Sequence, residues 1–516
     1  MKKIGIYLNS NSCDRYLYKS IEKLSQSTKV ELHFLRSTKR EIEEKSFRLS
    51  FFKLVTKVEH TLLSILNRDI KEHRRVFSID ESDITLIENS DKMKQLDLDL
   101  IIDIGNSDRE LVKFAKDGVI SLRYSSSKEP LAFWEVYNQE SSSRFSIELS
   151  NKNMKTETIF KGEIQTQRSY TENMVYLFSN STPYLTKIIL DYASANRLPS
   201  TKERVPSTEP TSTIPTFSQL VYYILKTTTI ISSIIINRFI FKKERRWSVA
   251  FLNSPWRDAN LRDGIEIKNP SNRFFADPFV ITRDNRTICF VEDYYYNKSR
   301  ACISAVEIKD DNSYTILGTI IDEPFHMSFP FIFEYKDELY MTPETCEADS
   351  IRLYKCIEFP MRWEYQKDII SNISATDSII FEHDSRWWLL CNMAIDGNSD
   401  YSSTLMAFYS DNPLADKWIA HELNPLIFDS KIARNGGVLN IKSGKLPIRS
   451  RQKQGFGEYG ESFSLAQIEE LTPSSYKERE IGKFSATFFE NIKTCHHIHS
   501  NDKYTVYDYM RCESIT

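Results

Sequence analysis

The sequence has no pair of cysteines spaced C-x-x-C and no zinc-ligand spacing; its eight cysteines lie scattered. Neither a metal site nor a disulfide framework is therefore indicated. It has no excess of positive charge, since 68 Lys and Arg against 71 Asp and Glu give a formal net charge of -3. A general nucleic-acid binder, which needs a basic surface for phosphates, is not expected. A signal-peptide core is also missing, because the opening MKKIGIYLNSNS carries only five largely apolar residues after its two lysines. That opening reads as a first buried strand, and a reducing, cytoplasmic location is the default expectation. Glycine is scarce at 14, whereas aromatics are plentiful, with 31 Phe, 26 Tyr and 7 Trp. Such rings serve as strand and core residues, and in sugar-handling proteins they also stack on sugar rings.

At 516 residues the chain is too long for one core, and two or three domains are expected. Residues 1–197 read as a doubly wound α/β domain. Strands are predicted at KIGIYL (3–8), VELHFL (30–35), LDLIIDIG (98–105) and GVISLRY (118–124). Helices are predicted from Arg15 to Gln26, within 41–75 on the spacing of Phe51, Leu54, Val55, Val58, Leu62, Leu63 and Ile65, and from Arg109 to Lys116. Residues 198–216 are a linker by their Pro, Ser and Thr content. Residues 217–246 form an apolar run interrupted by Lys226 and Arg238 and closed by Lys242, Lys243, Arg245 and Arg246. Three readings stay open for it: a membrane span, an interfacial helix at the inner face of a membrane, or a helix packed between domains.

The succession LDLIIDIGN, GVISLRYSSSKEPLAFWEV, FSIEL and TIFKGEIQTQRSYT resembles the N-terminal domain of formyltransferases that use N10-formyltetrahydrofolate. The resemblance implies an Asn and a His two residues apart on the strand after G-V, and an Asp before the later Gly. Here those positions read Ser121, Arg123 and Phe160. Without the imidazole and the carboxylate, formyl transfer has no acid–base set. The expectation is a degenerate domain, no folate derivative and no other cofactor.

From Trp247 onward, helical periodicity gives way to short apolar runs and turns. Five segments share one grammar: FFADPFVITRDNRTICFVED, MSFPFIFEYKDELYMTPET, ATDSIIFEHDSRWWLLCN, ARNGGVLNIKSGKLPIRSRQ and TCHHIHSNDKYTVYDYM. Their spacing of about 45 to 60 residues is that of four-stranded blades, so 247–512 is predicted to be an all-β five-bladed propeller. The segment leads should meet near its axis: Asp277, Pro330, Asp377, Arg434 with Gly436 and Gly437, and His496 with His497. Carboxylates, a guanidinium and imidazoles in one hollow imply a ligand or mutual pairing.

These pieces (F-A-D-P-F, S-F-P…P-E-T, A-T-D-S, A-R-N-G-G…G-K-L…R-x-Q, Y-G and the closing paired His) resemble two related groups. One is the five-bladed furanosidase and fructosyltransferase glycoside hydrolase clan. The closer one is the N-terminal domain of glucosamine inositolphosphorylceramide transferases. The first resemblance implies that Asp277 stands at the base or nucleophile position and Asp377 at the transition-state-stabilising position, with Glu344 the nearest candidate acid and Glu292 behind it. Arg434, Gly436, Gln452, His496 and His497 are the expected substrate-binding residues. Arg434, Arg451 and the histidines suit an anionic ligand, which favours transfer over hydrolysis. The expected ligand is a sugar, sugar phosphate or nucleotide sugar, with a lipid-linked glycan as a further candidate. Three functions stay open: an enzyme of surface-glycan assembly, a sugar formyltransferase with a glycan-binding propeller, and a non-catalytic glycan-binding scaffold.

Overall fold

A computed structural model describes residues 1–38, 46–73, 75–103, 109–124, 130–153, 155–196, 198–199, 213–395, 400–439 and 444–514. The chain divides into two compact units, Met1–Ile231 and Ser232–Thr516. Most of the predicted linker, and the ends of the predicted strand 98–105 and helix 41–75, lie outside the described residues.

The first unit holds a seven-stranded sheet. In spatial order its strands are Ile84–Leu86, Val30–Arg36, Lys2–Leu8, Leu98–Asp103, Ala115–Tyr124, Ser142–Ser150 and Thr156–Gln165. The first five run parallel, Ser142–Ser150 returns antiparallel to them, and Thr156–Gln165 is antiparallel to Ser142–Ser150. The near-continuous apolar strands lie in the middle, where Ile4, Ile6, Leu100 and Ile120 are buried, as parallel strands covered on both faces require. Helix Arg15–Ser25 begins where predicted, its first amides satisfied by the Asp14 carboxylate. The segment read as a helix from Arg109 is instead a 3₁₀ turn, Arg109–Phe114, and the next strand already starts at Ala115. Strand pairing with Leu98–Asp103 begins at Ala115 and takes the end of the predicted helix.

The second unit is sheet-rich and propeller-like. Residues 273–321, 328–371 and 375–428 form three antiparallel sheets, each entered by a hairpin. The hairpin turns Asp284-Asn285, Lys336-Asp337 and Asp384-Ser385 all have positive φ at both positions, the turn type whose twist matches the strands it joins. A nine-stranded sheet joins a fourth group, 435–485, to a fifth. That fifth group is built from both ends of the unit: Lys243–Leu252 pairs along its length with Thr505–Ser514. Hence Lys243, Arg245 and Arg246, read with the apolar helix, lie on a strand, and the helix itself ends at Phe239. The first strands of successive groups touch in cyclic order, 273–283 to 328–335, 375–383, 435–439, 498–500 and back to 273–283. Phe279, Phe329, Phe331, Ile379 and Val438 fill the space between them.

Candidate active site

One irregularity recurs in the first strand of four groups. Two residues bulge opposite one between Ala276 and Phe279, Ser328 and Phe331, Thr376 and Ile379, and Asn435 and Val438. In each bulge one residue is left-handed: Asp277 (φ 47°), Phe329 (45°), Asp377 (50°) and Gly437 (105°). An L-residue there costs about 1 kcal/mol or more, and aspartate tolerates it better than most. His496 and His497 occupy the corresponding place before Ile498 in the fifth group. The repeat thus brings side chains from distant segments together, and the bulge re-aims them.

Asp277 Oδ1 lies 2.9 Å from His496 Nε2, across 219 residues of sequence. The other ring nitrogen of His496 faces Asp508 Oδ2 at 3.3 Å, although the alignment there falls short of a hydrogen bond. Asp508 also accepts the backbone amides of His496 (3.1 Å), His497 (3.0 Å) and Asp277 (3.3 Å), so it holds both bulges in place. On the other side, Arg434 Nε donates to Asp377 Oδ2 at 2.7 Å, and its Nη2 lies 3.8 Å from Glu344 Oε2. The guanidinium stacks over Tyr459 with 5.1 Å to the ring centroid. Gln452 Nε2 reaches Asp377 Oδ2 at 3.4 Å and Asn435 O at 2.7 Å.

Electrostatics separates the carboxylates. Burial pushes Asp277 up, but the His496 hydrogen bond and charge, His497 and Arg434 outweigh it and hold the acid at about 2. For Glu344, burial and then the charge of Asp377 win over Arg434 and the Cys346 thiol, and the acid is pushed up to about 8. Glu292 is raised well above the carboxylate range by burial and by Asp277, Glu344, Asp508 and Asp377. Asp377 is raised by burial against the pull of Arg434. Burial, chiefly, lifts Asp508 to about 6. Burial depresses His496, yet Asp508 and Asp277, which face its two ring nitrogens, raise it on balance. Asp277 is thus held low and Glu344 high, and carboxyls driven apart in this way are what acid–base chemistry needs.

Several residues take roles other than those expected. Arg451 does not serve the pocket: it donates to Glu478 at 3.0 Å, Glu480 at 2.7 Å and Ser464 at 3.0 Å. Pro330 follows the strained Phe329, which packs on Phe279 and His497 and brings no polar group. Gly436 offers close approach, because a Cβ there would meet His496 O at 2.3 Å. His497 is fully enclosed between Phe279 and Phe329, and burial lowers it to about 3, so it is a neutral ring beneath the site. Arg434 and His496 are thus engaged by carboxylates, which leaves neither as an obvious partner for an anionic ligand. Asp508 and Tyr459 are additions; the paired motif Y-G (Tyr459-Gly460) and the Asp within YTVYDYM were the signals available. Asp277, His496 and Asp508 have the composition of a metal-ligand trio. Their ligand atoms lie within 4.8 Å of one another, and His496 turns one nitrogen to each carboxylate. In the first unit, Ser121 is buried, Arg123 lies 3.9 Å from Glu148, and Phe160 packs on Tyr184. Those positions hold no imidazole or carboxylate.

Residues 261–501 match the family model described as glucosamine inositolphosphorylceramide transferase 1, N-terminal, the family that the motif pieces resemble. Similar curated proteins include glucosamine inositolphosphorylceramide transferase 1 of Oryza sativa subsp. japonica, 34% identical over 212 residues, covering 40% of this chain and 28% of that protein. The Arabidopsis thaliana protein of the same name is 33% identical over 216 residues, covering 41% and 28%. The chain thus spans little more than a quarter of the length of these relatives. Among solved structures, a family 117 glycoside hydrolase of Zobellia galactanivorans covers 52% of this chain and 91% of its own at 11% identity and a TM-score of 0.34. A GH62 α-L-arabinofuranosidase domain of Coprinopsis cinerea covers 51% and 96% at 11% identity and a TM-score of 0.35; likenesses this distant carry no argument about function.

Proposed function

We propose that the second unit is a five-bladed propeller whose central pocket makes or breaks glycosidic bonds, in the assembly or trimming of a surface glycan. Asp277 acts as the ionised base or nucleophile and Glu344 as the protonated acid, with Asp377, held by Arg434, stabilising positive charge that develops on the sugar. The observation that carries this reading is the convergence of Asp277, Glu344 and Asp377 from three successive groups, with one guanidinium bridging Asp377 and Glu344. Glycoside chemistry needs two carboxyls in opposite protonation states, and a pocket whose Arg434 and His496 are engaged by carboxylates suits a polyhydroxylated ligand better than a diphosphate. The name of the similar rice and Arabidopsis proteins supports an amino sugar or an inositolphosphorylceramide-like acceptor as the first compounds to try. Because only 28% of their length is matched, their transferase activity is itself part of the proposal. The first unit is read as formyltransferase-like without its acid–base residues, acting as a binding or bracing domain.

The test is incubation of the full chain with aryl glycosides, amino-sugar oligosaccharides and nucleotide sugars, followed by mass spectrometry of the products. Turnover that disappears in Asp277→Asn, with folding intact, supports the reading. Undiminished turnover in that variant contradicts it.

A further inference from the structure

The first unit carries a surface that its own fold does not account for. Helix Phe47–Leu66 buries Phe52, Thr56 and His60. Its opposite stripe, Phe47, Leu54, Val58, Leu62 and Ile65, is more than half exposed at every position. The spacing of 7, 4, 4 and 3 residues places all five on one face. Water-facing helix faces are ordinarily polar, and an apolar stripe of this length marks an interaction surface.

A second helix continues it. Phe217–Phe239 docks on the first unit through Leu220, Tyr223 and Thr227, which are buried, and exposes Val221, Tyr222, Ile224 and Leu225. The rings of Phe51 and Phe217 meet at 5.0 Å and join the two apolar faces. The helices are pinned together: the Tyr223 hydroxyl donates to Glu59 Oε2 and accepts the Tyr170 amide at 2.8 Å, while Glu59 Oε1 accepts the Thr171 amide at 2.7 Å.

Charge identifies the occupant. Helix 47–66 and residues 217–231 carry Arg48, Lys53, Lys57 and Lys226, and their one acid is Glu59, whose carboxylate is held by Tyr223 and Thr171. An apolar face edged by cations alone, in a chain of net charge -3, complements an anionic lipid surface. The second helix is long and apolar enough to cross a bilayer by length and composition. Crossing, however, would strip Leu220, Tyr223 and Thr227 from the unit and leave Glu59 buried without its tyrosine. We propose that helix 47–66 and residues 217–231 of the second helix together form a docking face that lies in the plane of an anionic membrane, with helix 47–66 contributing as much as the more apolar partner. The proposal does not depend on the chemistry in the pocket.

The full chain is mixed with phosphatidylcholine vesicles containing or lacking about a third phosphatidylserine, and bound protein is measured by flotation. Binding should favour the anionic vesicles by about tenfold and weaken in high salt. The double variant Leu54→Glu/Leu62→Glu and, separately, Leu225→Glu should each reduce binding at least about tenfold. Their melting temperatures should match the wild type, because these side chains are exposed. Four results would overturn the proposal: equal or absent binding to both vesicles, no effect of the helix 47–66 variant, retention of bound chain in alkaline carbonate as an integral protein, or a dimer broken by these variants without any vesicle binding.

Discussion

Replacing Glu344 by Gln should alter how stability depends on pH, and the structure gives the sign. The folded acid is raised from an ordinary 4.5 to about 8, by burial first and then by Asp377. Between those values the folded chain keeps a proton that the unfolded chain has released. Stability therefore falls as pH rises, by about 1.4 kcal/mol per pH unit for this one group. Its contribution is complete below the unfolded value and is lost as pH climbs through the folded value. From pH ~5.5 to ~7.5 the loss amounts to about 2–3 kcal/mol. Glutamine cannot titrate, so this component vanishes in Glu344→Gln. Asp377, Glu292 and Asp508, also raised, act in the same direction in both proteins, and Asp277, held at about 2, acts oppositely only in acid. Urea unfolding at several pH values, followed by tryptophan fluorescence, gives the difference directly. The variant should gain on the wild type steadily as pH rises. Parallel curves would show that Glu344 titrates like an exposed acid, and the reasoning about the pocket would fail.

Asp508→Ala leaves three backbone amides without their acceptor and the His496 ring without one of its two carboxylates, and should cost about 3–5 kcal/mol in urea unfolding. Gly436→Ala drives a Cβ to 2.3 Å from His496 O; a loss of about 1–3 kcal/mol is expected, together with lower turnover because His496 shifts. Arg449→Met removes the two-pronged ion pair to Glu478 at 2.8 and 2.9 Å inside the fourth group. It should destabilise by about 3–5 kcal/mol in thermal or urea unfolding, because Glu478 is left buried without that partner.

Much of this architecture was written locally. The turn at Asp284-Asn285 and the leads A-D-P and A-T-D-S announce hairpins and bulges, because aspartate is among the few side chains that accept a left-handed backbone. The expectation that Arg451 binds a ligand runs against a rule that the sequence itself supplies: neighbouring strand residues face opposite sides. Gln452 meets Asp377, so Arg451 must point away, and it does, toward Glu478 and Glu480. Asp508 was passed over because it sits inside an aromatic strand without a lead motif, and its role depends on amides 11 to 12 and 231 residues away. The basic residues Lys243, Arg245 and Arg246 were read with the helix before them. Their strand pairs with the far end of the unit, Cys512, Arg511 and Ser514 among its partners, and no local pattern encodes such a closure.

The central claim is that Glu344 gives a proton to a leaving group while Asp277 works ionised. The measurement that tests it is the rate of glycoside cleavage or transfer, over a series of aryl leaving groups, for the wild type, Glu344→Gln and Asp277→Asn. The account predicts that Glu344→Gln loses rate on poor leaving groups, keeps much of it on activated ones, and loses the fall in rate near pH 8, whereas Asp277→Asn fails on all. Equal rates for Glu344→Gln and the wild type across the series, with the same pH profile, would contradict it.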